Sequence, residues 1–230
     1  MIDNLPHHVA IIPDGTRRWA RERGLPEMEG AKAGAENIHG IVAYLLDAGI
    51  RYLTVWGFSS DNWKRSESQV CFLFKQALTW IERDAPWLHS RDVRIRHSGR
   101  KERLPPRLQR SMSYWGEVTQ QNAGMTLIAA FDYSGRVEVI DAIRRVIEAG
   151  ISPQVVDNDL FSHYLYTDGI PDVDLVIRTG GELRLSNFLL WQTAYSELYF
   201  TDVLWPDFNE KELEKALHTY SRRQRRFGGD

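Results

Sequence analysis

Short apolar runs bounded by turn residues alternate along this chain with longer stretches in which apolar positions recur every three or four residues, the pattern of strands separated by helices. His8-Val9-Ala10-Ile11-Ile12 is such a run, stopped by Pro13, and reads as a buried strand. From Gly34 onward Ile38, Ile41, Val42, Leu45 and Leu46 share a helical face, and Gly49 ends the helix. Tyr52 to Trp56 predicts a second strand, with Phe58 to Trp63 as a polar loop at its C-terminal end. The helix predicted from about Glu67 has Val70, Leu73, Phe74, Ala77, Leu78 and Ile81 on its main stripe and Phe72 nearly opposite, so it is buried twice or lines a cavity. Val93 to Arg96 and Met125 to Ala130 predict strands on either side of a helix around Leu104 to Gln121. Val137, Ile140, Ile143 and Val146 mark another helix, and Val173 to Ile177 a further strand that leads into Arg178-Thr179-Gly180-Gly181.

This order predicts one α/β domain over residues 1–230, with a central, mostly parallel sheet flanked by helices. In such sheets ligands bind in the crevice outside the C-terminal ends of the strands. Three polar loops fall there, at residues 13–19, 58–65 and 178–186. Composition narrows what they can do. Lys plus Arg total 29 against 31 Asp plus Glu, so no global basic field points to nucleic acid or to an anionic membrane surface, and any anion site is local. No apolar run approaches the roughly 20 residues that span a bilayer. A lone Cys71 excludes an internal disulfide and a thiolate metal site, which suits a reducing cytoplasm.

Asp14-Gly15 directly follows a strand, where a carboxylate can hold Mg²⁺ together with phosphate oxygens. Alone the pair is an ordinary turn, and Arg17 and Arg18 could equally be solvated charges. Residues 178–186 repeat the theme with Arg178, Arg184, two glycines and the hydroxyls of Thr179 and Ser186, a donor set suited to a phosphate. Arg222, Arg223, Arg225 and Arg226 form a third cationic group, equally explained as charge at a helix C-terminus. Anion loops alternating with aromatic and apolar surface suggest a substrate with an anionic head and a greasy tail, and two such loops would serve two heads. Nothing resembles a nucleophilic triad, and the histidines lack metal-ligand spacing.

Taken together, these loops resemble the cis-prenyltransferases, the undecaprenyl diphosphate synthase family, over nearly the whole chain. The resemblance is carried by His8 to Ile12 with Asp14-Gly15 and Arg18-Trp19; by Phe58 to Trp63 with Arg65; by Val176 to Gly181; by Ser186 to Gln192; by Glu197 to Phe200; and by Arg225 to Gly229. It implies a homodimer whose subunits each hold a hydrophobic tunnel for a prenyl tail, with prenyl diphosphates as substrates. By that resemblance Asp14 would hold Mg²⁺, and Gly15, Thr16, Arg17, Arg18 and Trp19 would surround the first diphosphate. Arg178, Arg184 and Ser186 would bind the second, and Glu197 would reach the metal from the dimer partner. Ser59, Asn62, Trp63 and Arg65 resemble the loop that orients the reacting carbons, and Arg226 and Gly228 match a C-terminal motif sent across the dimer interface.

The departures from the family pattern fall on one side of the site. Pro13-Asp14-Gly15-Thr16-Arg17-Arg18-Trp19 replaces Met-Asp-Gly-Asn-Gly-Arg-Trp, and Glu27 and Ala31 stand where the regular enzymes have an arginine and a histidine on the first diphosphate. The second site matches throughout. This combination resembles the irregular branch, the cyclolavandulyl and isosesquilavandulyl diphosphate synthases, which join dimethylallyl diphosphate head to middle. Trp56, Phe72 and Phe74 fall in segments that wall the tunnel and would shorten it. Asp132-Tyr133-Ser134-Gly135-Arg136 replaces Asn-Tyr-Gly-Gly-Arg. A regular elongating enzyme and a non-catalytic partner subunit are the competing readings within the family. Ile12 to Thr16 also resembles the Asp-x-Asp-Gly-Thr of haloacid dehalogenase phosphatases, but the nucleophilic Asp would fall at Ile12.

Overall fold

The structure, a computed structural model, describes residue 2 and residues 4–223. Six strands form one sheet: β1 (His8–Ile12), β2 (Tyr52–Ser59), β3 (Arg94–Ser98), β4 (Thr126–Tyr133), β5 (Leu175–Arg178) and β6 (Glu197–Phe200). Their order is β3-β4-β2-β1-β5-β6, and every neighbouring pair is parallel. The helices are α1 (Thr16–Glu22), α2 (Glu27–Asp47), α3 (Glu67–Ser90), α4 (Pro106–Val118), α5 (Gly135–Glu148), α6 (Asn158–Ser162) and α7 (Glu210–Ser221). None is long and apolar enough to cross a membrane among the described residues.

Successive side chains of a strand point to opposite faces, and β1 is buried on both. Val9 and Ile11 pack toward Ile41, Val42 and Leu45 of α2 and Leu213 and Leu217 of α7. Ala10 and Ile12 face the other way, onto Val176, Phe188 and Leu189. β1 lies between β2 and β5, so chain connections diverge to either side of it. That is the switch point at which an open parallel sheet forms its ligand crevice.

Several boundaries move from those the sequence predicts. α2 begins at Glu27 rather than Gly34, β2 runs on to Ser59, and the first polar loop is helical from Thr16, where α1 starts. β6 and α6 have no counterpart in the sequence reading, and α7 has only the helix C-terminus suggested for Arg222 and Arg223. β6 is half-buried at all four positions and lies at the sheet edge, so neither apolar continuity nor alternation marks it. α7 does carry a legible stripe, Leu213, Ala216, Leu217 and Tyr220, behind an Asn209 cap whose side chain accepts from the Lys211 and Glu212 N–H groups.

His8 fixes the start of β1. Its Nδ1–H donates to the Pro171 carbonyl at 2.8 Å, and its Nε2 lies 2.8 Å from the Thr54 hydroxyl, which donates to it. Burial lowers its pKa from 6.5 to about 4, so the folded chain holds the ring neutral. An unfolded chain takes up this proton first as pH falls from about 6.5 to about 4. The stabilisation is therefore complete above pH 6.5 and declines by up to roughly 3 kcal/mol toward pH 4. Denaturant titrations across this range are expected to show that slope, and His8→Asn is expected to flatten it.

Candidate active site

The three polar loops converge at the C-terminal ends of β1, β2 and β5, over a cavity of about 400 Å³ between the sheet and α2 and α3. Its apolar walls include Ala35 and Ile38 of α2, Leu73 and Ala77 of α3, and Val55 and Leu127 of the sheet. Asp14, Thr16, Ala31, Ser59, Asn62, Arg65, Arg178 and Ser186 also line it. The polar residues and the apolar walls thus belong to one space, as an anionic head with a hydrocarbon tail requires.

Two loops are stitched together at its mouth. The Asp14 N–H donates to the Thr179 hydroxyl at 2.8 Å, and that hydroxyl donates back to the Asp14 carbonyl at 2.8 Å. The Asp14 carboxylate accepts from the Gly15 N–H at 2.6 Å and from Arg178 Nη2 at 2.9 Å. Gly15 has φ of 100°, and a Cβ there would lie 2.7 Å from Leu204 Cδ2, so both conformation and space require glycine. Arg178 is 4 % exposed. Its Nη1 donates to Ser186 Oγ at 2.7 Å and also to the Arg184 carbonyl. The fork of Arg178 is held from three sides, with Asp14 as its one carboxylate partner among the described residues.

The segment after it is strained and clamped. Ser186, Asn187 and Leu189 have φ of 51°, 71° and 44°, conformations that cost about 1–3 kcal/mol each for non-glycine residues. Asn187 holds them in place. Its carbonyl and Oδ1 accept from the N–H groups of Gly135 and Arg136, and its amide donates to Ser134 Oγ at 2.6 Å. Ser134, one of the departures from the family pattern, therefore has a structural part in fixing Ser186.

On the β2 side, Ser59 and Asn62 form a capping box around a single 3₁₀ turn. Asn62 Oδ1 accepts from the Ser59 N–H at 3.0 Å, which leaves its NH₂ group for a ligand in the cavity. Arg65 is half-buried, and desolvation lowers its pKa from the ordinary value. The positive charge of Arg17 adds to that effect, while Glu27 and Asp14 oppose it. Arg17 and Arg65 are therefore electrostatic neighbours.

Other expected site residues are placed elsewhere. Trp19 does not line the cavity: its indole donates to Asp207 at 2.8 Å and its ring lies under Arg23. Arg18 donates to the Gly180 carbonyl, and Arg184 faces Glu182, so neither guanidinium lines the cavity. Trp63 lies behind the β2 loop, bonded to Asp132. Glu197 begins β6 in register with Leu175, whereas Arg178 pairs with Phe200, which sets Glu197 roughly 10 Å along the sheet from the Arg178 level. It ion-pairs with Arg223. Arg226 and Gly228 lie outside the described residues.

Of the expected tunnel aromatics, Trp56 borders the cavity and stacks on Phe188 at 4.8 Å. Phe72 and Phe74 do not line it. Phe74 packs instead against Phe58 at 4.8 Å, because the face of α3 turned to the cavity is Leu73, Gln76, Ala77 and Trp80. Thr179, expected as a phosphate donor, instead gives its hydroxyl to the Asp14 backbone, and sequence reading missed Trp205 as part of the site. The Trp205 N–H donates to the Asp14 carbonyl at 2.9 Å, and its indole donates to the Gly34 carbonyl.

Residues 12–228 match the family model described as putative undecaprenyl diphosphate synthase. The protein belongs to the cis-prenyltransferase family. It is similar to the isoprenyl transferase of Fusobacterium nucleatum, 48 % identical over 100 % of this chain and 98 % of the relative. That of Thermotoga maritima is 46 % identical, over 98 % of this chain and 97 % of the relative. Among solved structures, the lavandulyl diphosphate synthase from Lavandula x intermedia in complex with dimethylallyl diphosphate superposes with a TM-score of 0.94 at 40 % identity, over 97 % of this chain and 98 % of that one. A probable undecaprenyl diphosphate synthase from Campylobacter jejuni gives 0.82 at 28 % identity, over 98 % of this chain and 99 % of that one. This cis-prenyltransferase is accordingly an enzyme of prenyl transfer, with the all-parallel sheet that family resemblance implies.

Proposed function

We propose that this cis-prenyltransferase couples short isoprenoid diphosphates head to middle, joining dimethylallyl diphosphate to dimethylallyl or geranyl diphosphate and releasing diphosphate. The observation that carries this reading is the asymmetry of the cavity mouth. On the Arg178 side an intact fork, with Ser186 and Asp14, faces the cavity. On the other side Thr16 and Ala31 line it, and Glu27, where a cation is usual, accepts a hydrogen bond from Gln69 at 3.2 Å. One diphosphate then meets Arg178 and Ser186, and the other depends on Arg65, with the exposed Arg17 as its electrostatic neighbour. A volume of about 400 Å³ is near the lower end for ligand sites, in keeping with short tails.

In this scheme the C1–O bond of the donor breaks and the diphosphate leaves with the electron pair. The acceptor's double bond attacks C1 through its C2 carbon, and the resulting cation loses a methyl proton to a diphosphate oxygen. Asp14 fits Mg²⁺: it is one partly exposed carboxylate at the mouth, and this ion takes one or two protein carboxylates and completes its shell with phosphate and water. Bound there, the metal would neutralise charge on the departing diphosphate. Arg178 orients that carboxylate, and the apolar walls exclude water from the cation. Asp14 and Asp61 are the carboxylates that line the cavity among the described residues, and Asp61 is paired with Lys64 at 2.6 Å, so Asp14 is the residue assigned to the metal. A part for Glu197 at the metal requires a second subunit, and a homodimer in the cytoplasm is included in the proposal.

The family model described as putative undecaprenyl diphosphate synthase, and the similar structure of a probable enzyme of that name, favour a second reading, regular elongation with isopentenyl diphosphate. The two separate on substrate requirement. With Mg²⁺, the enzyme is expected to turn over dimethylallyl diphosphate alone and with geranyl diphosphate. A product that forms only when isopentenyl diphosphate is added, and grows by five carbons at a time, would overturn head-to-middle coupling.

A further inference from the structure

The loop that carries Asn62 and Arg65 is fastened to the sheet by a carboxylate that takes no part in lining the cavity. Asp132, near the end of β4, is 1 % exposed and has φ of 47°, a left-handed conformation that persists when surrounding contacts dictate it. Its Oδ1 accepts from the Trp63 indole N–H at 2.9 Å and from Arg100 Nη2 at 3.1 Å. Its Oδ2 lies 3.4 Å from Arg103 Nη1. The Arg103 guanidinium also lies over the Trp63 ring, 4.8 Å from its centroid. Arg100 continues to Ser60 Oγ at 3.2 Å, and its N–H donates to the Asp132 carbonyl. One buried carboxylate thus ties together β4, the turn after β3 and the loop after β2.

The tie is continuous with the cavity. Trp63 is flanked by Asn62 and, two residues on, Arg65, both of which line it. The Arg65 N–H donates to the Asn62 carbonyl at 3.0 Å, and the Asn62 side chain is fixed by the capping box with Ser59. Trp63 itself is wedged against Phe58 at 5.5 Å and Phe74 at 5.3 Å. With the indole nitrogen bonded and the ring clamped on two sides, the turn has little freedom left. We propose that Asp132 is a positioning residue for prenyl transfer, whose carboxylate fixes Trp63 and through that indole sets Asn62 and Arg65 against the reacting carbons. The inference rests on Asn62 acting in the reaction. A carboxylate suits the place better than an amide, because two arginines converge on it and an amide would leave both without a counter-charge.

The test compares Asp132→Asn, Trp63→Phe, the double variant and Asn62→Ala in the full chain with Mg²⁺ and saturable prenyl diphosphates. Asp132→Asn keeps an acceptor for the indole but removes the charge. Its kcat is expected to fall about 10- to 100-fold, with KM for each diphosphate changed by no more than about twofold, because misorientation lowers the rate of chemistry while the anion receptors are untouched. Trp63→Phe should show the same split, and the double variant should be no slower than the slower single variant. Losses that multiply in the double variant, or an unchanged kcat in Asp132→Asn, would overturn the proposal. An unchanged kcat in Asn62→Ala beside a reduced one in Asp132→Asn would overturn the route through Asn62. Should Asp132→Asn fail to fold by circular dichroism, Arg103→Gln carries the test, since that side chain is 40 % exposed. A several-fold lower kcat at unchanged KM supports the positioning role, and an unchanged kcat overturns it.

Discussion

Asp14→Ala is expected to lower turnover by on the order of a thousandfold, the scale seen when one preorganised electrostatic partner of a developing charge is removed. The substitution takes away the carboxylate that pairs with Arg178 at 2.9 Å and the acceptor of the Gly15 N–H. It leaves a guanidinium that is 4 % exposed without a counter-ion, at a cost of about 1–3 kcal/mol in stability. Circular dichroism should still report a folded chain. Calorimetry supplies a readout apart from turnover. In the parent protein Mg²⁺ should tighten the binding of inorganic diphosphate, whereas in Asp14→Ala the metal should add nothing and metal-free diphosphate should bind at least as well. Retained turnover, or an undiminished effect of Mg²⁺ in the variant, would refute the role given to Asp14.

Arg178→Lys should be almost as damaging, although it conserves charge. The arginine serves three partners from two nitrogens, Asp14 through Nη2, and Ser186 and the Arg184 carbonyl through Nη1, in a planar geometry that an ammonium cannot reproduce. Losing the fork should also free Ser186, whose left-handed backbone is maintained by contacts on both sides. The expected result is a loss of about 100-fold in kcat/KM, with KM for one diphosphate raised and that for the other nearly unchanged. Equal effects on both substrates would show that the two anion sites are not separate.

Much of this site was legible because the sequence signals it relies on are local. The run from His8 to Ile12 is buried at every position, so its apolar continuity marks a central strand, and Asp14 and Arg178 follow from where two such strands end. Their pairing confirms that the polar loops share one crevice. What could not be read is tertiary. The buckle between Thr179 and the Asp14 backbone joins positions 165 residues apart. The rotation of α3 turns Leu73, Gln76, Ala77 and Trp80 to the cavity and Phe74 into the core, and periodicity gives a stripe without saying which neighbour it meets. Asp132 and Ser134 look like unexplained replacements along the chain. Their reasons lie in Trp63, Arg100 and Asn187, contributed by three other segments.

Glu197 shows how a motif can match while its chemistry lies elsewhere. The segment Glu197 to Phe200 is present, but its register with β5 places the carboxylate toward the end of the sheet away from Asp14. Within the chain Glu197 pairs with Arg223 instead.

Head-to-middle and head-to-tail coupling join different carbons, and the position of the new bond separates them directly. Purified enzyme with Mg²⁺ and dimethylallyl diphosphate labelled with carbon-13 at C1 gives, after enzymatic removal of diphosphate, an alcohol whose carbon connectivity can be read by nuclear magnetic resonance. Head-to-middle coupling predicts a branched alcohol with donor C1 bonded to acceptor C2, formed with no isopentenyl diphosphate present. A linear alcohol with donor C1 bonded to C4 of an isopentenyl unit, formed only when isopentenyl diphosphate is supplied, would contradict it.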